Sequence, residues 1–483
     1  MEDNDRPKIL TTAAGAPVPD THQSMAIGDG SQILLQDHHL TEKLASFSRE
    51  RIPERVVHAK GSAAFGSLLI TSDISCLTSA TFLQPEARTD VLVRFSNFSG
   101  EAGAADAERD VRGFAMKVYT GAGNWDLVGS NLPVASVRDP AKFPDLVHAL
   151  KRHPVSHVRS ATAMWDFWSL TPESMHQILM LFSDRGLPKS YRHMNGYGGH
   201  AFGLVNQAGD HVWVKFHFKT LQGILNYTPD QARELIADDR ESFQRDLFEA
   251  VDRGDHPRWS FCIQVMSDAE AQQLRFDPFD LTRVWPQSTF PLVEVGVLSL
   301  DRNPDNYFAQ VEQATFSPSN IVPGICFSPD KMLQARLLAY PDAHRHRIGT
   351  HYAALAVNRP ICPVHTYYAD GAMRYGVPNK TDAYYEPNSF GGPIPDRGVP
   401  GPLPCISSTI GRIADAQASD DYGQAAALLR RMSVSQRASL IEAISASLVL
   451  VPEVIQRRQI AHFKLVDPSF GDGILARMPL RHE

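Results

Sequence analysis

The sequence predicts an α+β protein whose centre is an antiparallel β-barrel or sandwich. Three observations lead there. Residues 58 to 302 hold short β-type runs (SLLITSDI, DVLVRFSNF, GFAMKVYT, WDLVGSN, HVWVKFHF, RWSFCIQVM and PLVEVGVLSL) separated by turn residues. Helical patterns interrupt the runs near 160–184 and 228–252, and take over from 421 onwards. Between 303 and 420 periodicity is lost in a stretch dense in proline and glycine, EPNSFGGPIPDRGVPGPLP, which is disordered or wraps over another surface.

Taken in order, residues 1–57 form an N-terminal arm. Its first 37 or so are rich in Ala, Gly, Pro, Asp and Thr and need a partner surface to be ordered. Residues 38 to 52 read as a short amphipathic helix stopped by Pro53. The barrel domain follows over 58–302, then a wrapping segment over 303–420. A helical domain over 421–483 closes the chain with runs such as AAALLRRM and SLIEAISASLVLV.

Composition narrows the function. The 483 residues are 43% hydrophobic and 21% charged, as in ordinary soluble globular proteins. The net charge is −7 and no long basic run occurs, which argues against nucleic acid as a partner. Five scattered cysteines form no CxxC or CxxCH, which argues against a zinc knuckle or covalently attached haem and fits reduced thiols in a cytoplasm. No hydrophobic signal region opens the chain, no apolar stretch reaches transmembrane length, and the final MPLRHE is not the peroxisomal tripeptide. A membrane is therefore not expected as a partner.

Two stretches carry chemistry. RLLAYPDAHRHRIG, 336–349, gathers Arg336, Arg345, Arg347 and two histidines around Tyr340. In an acidic chain this suits a tyrosine that works as an anion, since a phenol ionises near pH 10 unless positive neighbours help. An ordinary basic helix face with a core tyrosine is the alternative. RERIPERVVHAKGSAAFG, 49–66, sets His58 among apolar residues ahead of a small-residue turn. Alone, such a histidine is more often simply packed. On VLVRFSNF, strand alternation puts Arg94, Ser96 and Phe98 on one face and Val93 and Phe95 on the other.

RIPERVVHAKG, VLVRFS, RGFAMKVYT, GNWDLVG, FSDRG, HMNGYGGH, VKFHFKT, DPFDLTRVWP, FSPDKMLQARLLAY and RQIAHF occur in that order between about residues 30 and 470. Together they resemble the monofunctional haem catalases of the small-subunit type. The resemblance implies the catalase fold: an eight-stranded antiparallel barrel with arm, wrapping segment and C-terminal helices, assembled as a homotetramer with intertwined arms. It implies haem, of the b type, and hydrogen peroxide or another small peroxide as substrate. By the same resemblance Tyr340 binds the haem iron as a phenolate. Arg336, one turn earlier, is its positive neighbour, and Pro341 kinks the helix. Arg55, Arg94 and Arg347 hold the haem propionates. Val57, Phe143 and Ala135 line the haem pocket. His58 is the acid–base residue, oriented by Ser96. His176, Ser183, Arg185, Lys219 and Trp285 match positions of an NADPH site, from which Met180 and Gln287 depart.

The distal pocket also departs from the family pattern. In GSNLPVASVRD, 129–139, Gly129 and Pro133 set the register, so Ser130 falls where the family has the asparagine that holds peroxide. Asn131 is next door, and only a bulge or local twist would let it substitute. Ala135 and Leu146 replace family phenylalanines, while Phe98 stands where the family's narrow channel has a smaller aliphatic residue. Replacing Phe by Ala opens a cavity. These changes leave two readings: peroxide dismutation at a reduced rate, or a scaffold repurposed as a peroxygenase or monooxygenase acting on an organic substrate or organic hydroperoxide. A third reading, a haem protein without turnover, is opposed by the intact His58 and Ser96.

Overall fold

In the computed structural model, which describes residues 8–368, 370–374, 383–396 and 420–479, alternation builds the central element. By internal contacts the chain divides into Met1–Glu54 and Arg55–Glu483. The first unit holds a two-residue-stranded hairpin, β1 (Ala26–Ile27) and β2 (Gln32–Ile33), and helix α1 (His38–Phe47). The Asp37 side chain caps α1 by accepting from the Leu40 N–H at 3.1 Å. The helix ends short of residue 52, because the Ser48 hydroxyl turns back to donate to the Leu44 carbonyl at 2.9 Å.

The second unit holds β3 (Gly61–Ile70), β4 (Arg88–Asn97), β5 (Arg112–Thr120), β6 (Gly123–Ser130), β7 (Gly196–Val205), β8 (His211–Thr220), β9 (Arg258–Met266) and β10 (Val293–Arg302). They pair antiparallel in the order β7-β6-β5-β4-β3-β10-β9-β8, and β8 returns to β7. The sheet is thus a closed eight-stranded barrel, with no free edge along these strands. A short β11 (Ile325–Phe327) pairs with the far end of β7.

The barrel interior is solid. Val91, Val93 and Phe95 of β4 meet Phe114, Met116 and Val118 of β5 there, with Phe216, Phe218 and Phe261 opposite. Phe114 stacks on Phe218 at 5.1 Å and Phe218 on Phe261 at 5.0 Å. The alternate residues therefore point outward. Across the outer wall Arg94 lies opposite Ala63 and Ala115, and Ser96 opposite Gly61 and Gly113. Small neighbours leave room above the long side chains of β4, and this wall is the floor of the candidate site.

Helices α2 (Phe143–Leu150), α3 (Ala161–Ser169) and α4 (Met175–Phe182) build a second layer. The expected helical stretch near 228–252 is two helices, α5 (Pro229–Asp238) and α6 (Ser242–Asp252), with α7 (Asp268–Gln273) further on. A π-turn, Phe308–Glu312, precedes α8 (Lys331–Arg347), which runs through Pro341. The chain closes with α9 (Gly423–Arg431), α10 (Val434–Leu448), α11 (Glu453–Val466) and α12 (Pro468–Leu475). Trp165, Trp168, Phe182, Ile444, Phe463 and Phe470 pack these last four helices onto α3 and α4 in a core separate from the barrel's. Parts of the expected wrapping segment (369, 375–382 and 397–419), and Cys405 with them, lie outside the described residues. Cys76, Cys262, Cys326 and Cys362 are free thiols. Among the described residues no helix is long and apolar enough to cross a membrane.

Candidate active site

His58 sits just before β3 with its backbone in the left-handed region, φ 64°. A non-glycine residue is strained there, by about 1–3 kcal/mol, and the surroundings must hold it. They do. The His58 N–H donates to the Phe98 carbonyl at 3.0 Å. Arg94 donates to the carbonyls of His58 and Ala59 at 2.8 and 3.0 Å. The imidazole Nδ1 lies 2.9 Å from Ser96 Oγ, and Phe98 meets the ring edge-to-face at 5.3 Å, itself 6.2 Å from Phe143. Burial, then the nearby Arg94 and Arg336, push the His58 pKa down to about 3, so the ring is neutral at pH 7. Gly113 makes the pair fit. A Cβ there would stand 2.3 Å from Ser96 Oγ and 2.8 Å from His58 Nδ1.

Ser130 lies across β5 from Ser96, both being paired to Gly113. Its hydroxyl donates to the Leu132 carbonyl at 2.8 Å. Asn131 does not join it, contrary to the option left open by the sequence. Its side chain is buried on the other side, accepting from the Arg112 N–H at 2.8 Å and donating to the Arg185 carbonyl at 3.1 Å. β6 ends at Ser130 with ordinary alternation, and no bulge turns Asn131 back. Leu146 is buried in the helical core, and Ala135 packs against that core. Val57 is partly buried beside His58.

On the other side, α8 carries Tyr340. Arg336, one turn earlier, donates from Nη2 to the Tyr340 hydroxyl oxygen at 2.5 Å and to the Val128 carbonyl at 3.1 Å. Its Nη1 meets His200 Nε2 at 2.5 Å, and His200 Nδ1 meets Asp330 Oδ2 at 2.6 Å. Burial, with Arg336 adding to it, lowers the His200 pKa. The neutral ring therefore donates from Nδ1 to Asp330 and accepts from Arg336 at Nε2. Asp330 also caps α8, accepting from the Met332 and Leu333 N–H groups at 2.8 and 3.1 Å. The result is one relay, Asp330–His200–Arg336–Tyr340. Neither Asp330 nor His200 was singled out from the sequence. An aspartate just before a helix pattern was the available signal for the first; a histidine in a glycine-rich strand gave none.

The third group is cationic. Arg55 Nη2 donates to the carbonyls of Val311, Glu312 and Ala314 at 3.0, 3.0 and 2.9 Å. Arg347 donates to the Glu312 carbonyl, and its Nη1 lies 3.3 Å from the Glu312 carboxylate. Burial lowers the pKa values of Arg55 and Arg347, that of Arg347 to about 10; repulsion from neighbouring arginines adds to this and the Glu312 carboxylate opposes it. Arg94 is also lowered by its burial, and its Nε is buried without a partner among the described residues.

The residues matched to an NADPH site are spread over another wall. Arg185 lines a recess of about 100 Å³ with Tyr197, Asn195 and His193, and Lys219 Nζ lies 3.4 Å from the Tyr197 hydroxyl. Ser183 donates to the Met180 carbonyl at 2.7 Å. Trp285 is buried and donates to the Pro278 carbonyl at 2.9 Å. His176 is buried too, its Nδ1 without a partner among the described residues.

A closed eight-stranded barrel backed by a helical layer, with an oriented histidine on its outer wall and an arginine-held tyrosine on a helix, defines the class. The chain belongs to the catalase family: the family model described as Catalase matches residues 11–392, and one described as Catalase-related immune-responsive matches 415–478. It is 51% identical over 473 residues to Catalase A of Pseudomonas putida, covering 97% of this chain and 98% of that one. It is 49% identical over 473 residues to a catalase of an Onchocerca volvulus endobacterium, covering 98% of each. Among solved structures it is similar to a fungal catalase (TM-score 0.94, 39% identity, 98% of this chain and 97% of that one) and to a bacterial catalase (TM-score 0.93, 39% identity, 100% and 98%).

The family carries haem, and the residues present fit it. Among the described residues Arg55 and Arg347 share the single carboxylate of Glu312, so two positive charges meet one negative charge, and one buried N–H of Arg94 lacks an acceptor. A group with two carboxylates answers both. The phenol oxygen of Tyr340 supplies a ligand of the kind haem iron takes.

Proposed function

We propose that this chain is a haem catalase with His58 as its acid–base residue and Tyr340 as its iron ligand, converting two hydrogen peroxide molecules to two of water and one of oxygen. The observation that carries this is the His58–Ser96 pair at 2.9 Å, with the ring held neutral. When bound, haem supplies the redox-active iron at which one peroxide is reduced and a second oxidised. The protein groups handle protons and position. With Nδ1–H donated to Ser96, the Nε2 lone pair of His58 is free to take a proton from one peroxide oxygen and return it to the other. Arg336 directs an N–H at the Tyr340 oxygen and stabilises negative charge on it, while His200 and Asp330 keep that arginine in place. Arg55, Arg94 and Arg347 hold the propionates. Val57, Phe143 and Ala135 border the haem, and the rings of Phe98 and Phe143 keep bulk water from His58.

Ser130 serves the distal position less well than an amide. Its hydroxyl proton is committed to Leu132, so towards peroxide it offers only lone pairs. The reading of an organic substrate gains little, since Leu146, one of the two positions that motivated it, is buried in the helical packing.

The haem is read as the b type. NADPH is assigned to the wall of His176, Ser183, Arg185, Lys219 and Trp285, supported by the cations Arg185 and Lys219 beside Tyr197. A cytoplasmic setting is supported by the free thiols. A homotetramer is supported by the arm, whose Ile9, Ile33, Leu35 and Phe47 are exposed apolar residues that a second copy would cover. We keep the division into arm (1–57), barrel (58–302), wrapping segment (303–420) and helical domain (421–483) as the functional layout. The test is His58→Ala in haem-loaded protein. Haem absorbance should persist while turnover falls about 10²–10⁴-fold, the usual worth of a positioned acid–base group. Parental turnover in that variant would refute the assignment.

A further inference from the structure

The arginine cluster contains an anion of its own. Glu312 ends the π-turn Phe308–Glu312, a rare backbone form that gathers at functional sites. The turn delivers Glu312 twice to the same cations. Its carboxylate Oε1 stands 3.3 Å from Arg347 Nη1 and 3.5 Å from Arg55 Nη1. Its backbone carbonyl accepts from both guanidiniums. Tyr307, just before the turn, donates its hydroxyl to the Gly61 carbonyl at 2.6 Å and ties the turn to β3. The Glu312 side chain is 21% exposed, so its charge is only partly screened by water.

We propose that Glu312 is a built-in counter-anion of the propionate-binding arginines. It holds Arg55 and Arg347 in place before haem arrives, and it moderates how tightly haem is held afterwards. This rests on reading Arg55, Arg94 and Arg347 as propionate partners. Without any anion, three clustered guanidiniums, two of them buried, repel one another and the haem-free protein loses stability. With haem bound, the carboxylate competes for the same N–H groups and repels the propionates. Glu312 acts through the arginines and touches neither peroxide nor iron, so it is a positioning residue.

The test compares Glu312→Gln, Glu312→Asp and Arg347→Ala as holoenzymes, by the rate at which haem passes to apomyoglobin and by the ferric/ferrous midpoint potential. Glu312→Gln keeps the side-chain shape, one carbonyl oxygen and the main-chain acceptor. We expect its haem to leave about tenfold more slowly, the effect of one unit charge removed at several ångströms in a medium of intermediate dielectric. Its midpoint should rise, because a nearby anion no longer opposes the added electron. Glu312→Asp should match the parent in both readouts, and Arg347→Ala should lose haem faster. Unchanged or faster haem loss in Glu312→Gln, with faster loss in Arg347→Ala, would overturn the counter-anion role alone. Parental haem loss in Arg347→Ala would overturn the propionate reading beneath it.

Discussion

In the proposed reading, Ser130 is the residue on which the rate hangs. Its single O–H donates to Leu132, whereas an amide offers two N–H groups to a peroxide oxygen. Ser130→Asn should therefore raise oxygen evolution per haem about tenfold, the worth of one added hydrogen bond in the activated complex. No gain, measured by initial rates at saturating peroxide, would show that this position does not hold the substrate. Gly113 sets the opposite limit. Gly113→Ala places a methyl within 2.3 Å of Ser96 Oγ, so it should break the pair and abolish most turnover while circular dichroism stays parental. At this scale the sequence was legible where a residue's chemistry is unusual for its setting, as with Tyr340 among cations. It was silent on Gly113, because a glycine needed for its missing side chain looks like any other. It left Asn131 open, because alternation is settled only by the register of β6 on β5.

The elements show the same contrast. β9 spans Arg258–Met266, the very run read as a strand, because apolar and polar residues alternate cleanly there. β7, which closes the barrel, was missed. GYGGHAFGLV hides its alternation behind glycines, and those glycines serve close approach: a Cβ on Gly196 would stand 2.5 Å from the Phe114 ring. α8 was read from its cations, but its start depends on Asp330, which caps the helix and orients His200 at once. Asp330→Ala should cost about 1 kcal/mol in cap alone, seen as a lower melting temperature. It should also shift the haem absorbance, since His200, the partner of Arg336, loses the carboxylate that orients it. Asp330→Asn should restore most of the melting temperature and little of the spectrum. A spectrum unchanged in both would disconnect the relay from Tyr340.

Across the whole molecule, burial governs the response to acid. His58, His176, His217 and His344 have pKa values pushed down, first by burial, to about 3, 4, 3 and 4. Unfolded, each takes up a proton near pH 6.5. Between those values the unfolded chain binds more protons than the folded one, so stability is full above about pH 6.5 and drains away as the pH falls towards 4. The melting temperature should be level from pH 7 to 9 and decline steadily below 6.5; a rise on acidification would contradict this. The barrel and its helices were legible at this scale because strands and helices each have their own periodicity. The boundary between the two units, after Glu54, was not, since no change of composition or periodicity marks it. In the proposed reading, the barrel wall and α8 together hold a working catalase centre. Oxygen release from hydrogen peroxide by the purified, haem-loaded protein, normalised to haem, tests it most directly. Sustained evolution of one oxygen for every two peroxides, without any organic reductant, is the predicted result. Peroxide consumption that yields no oxygen and needs an added organic donor would contradict it.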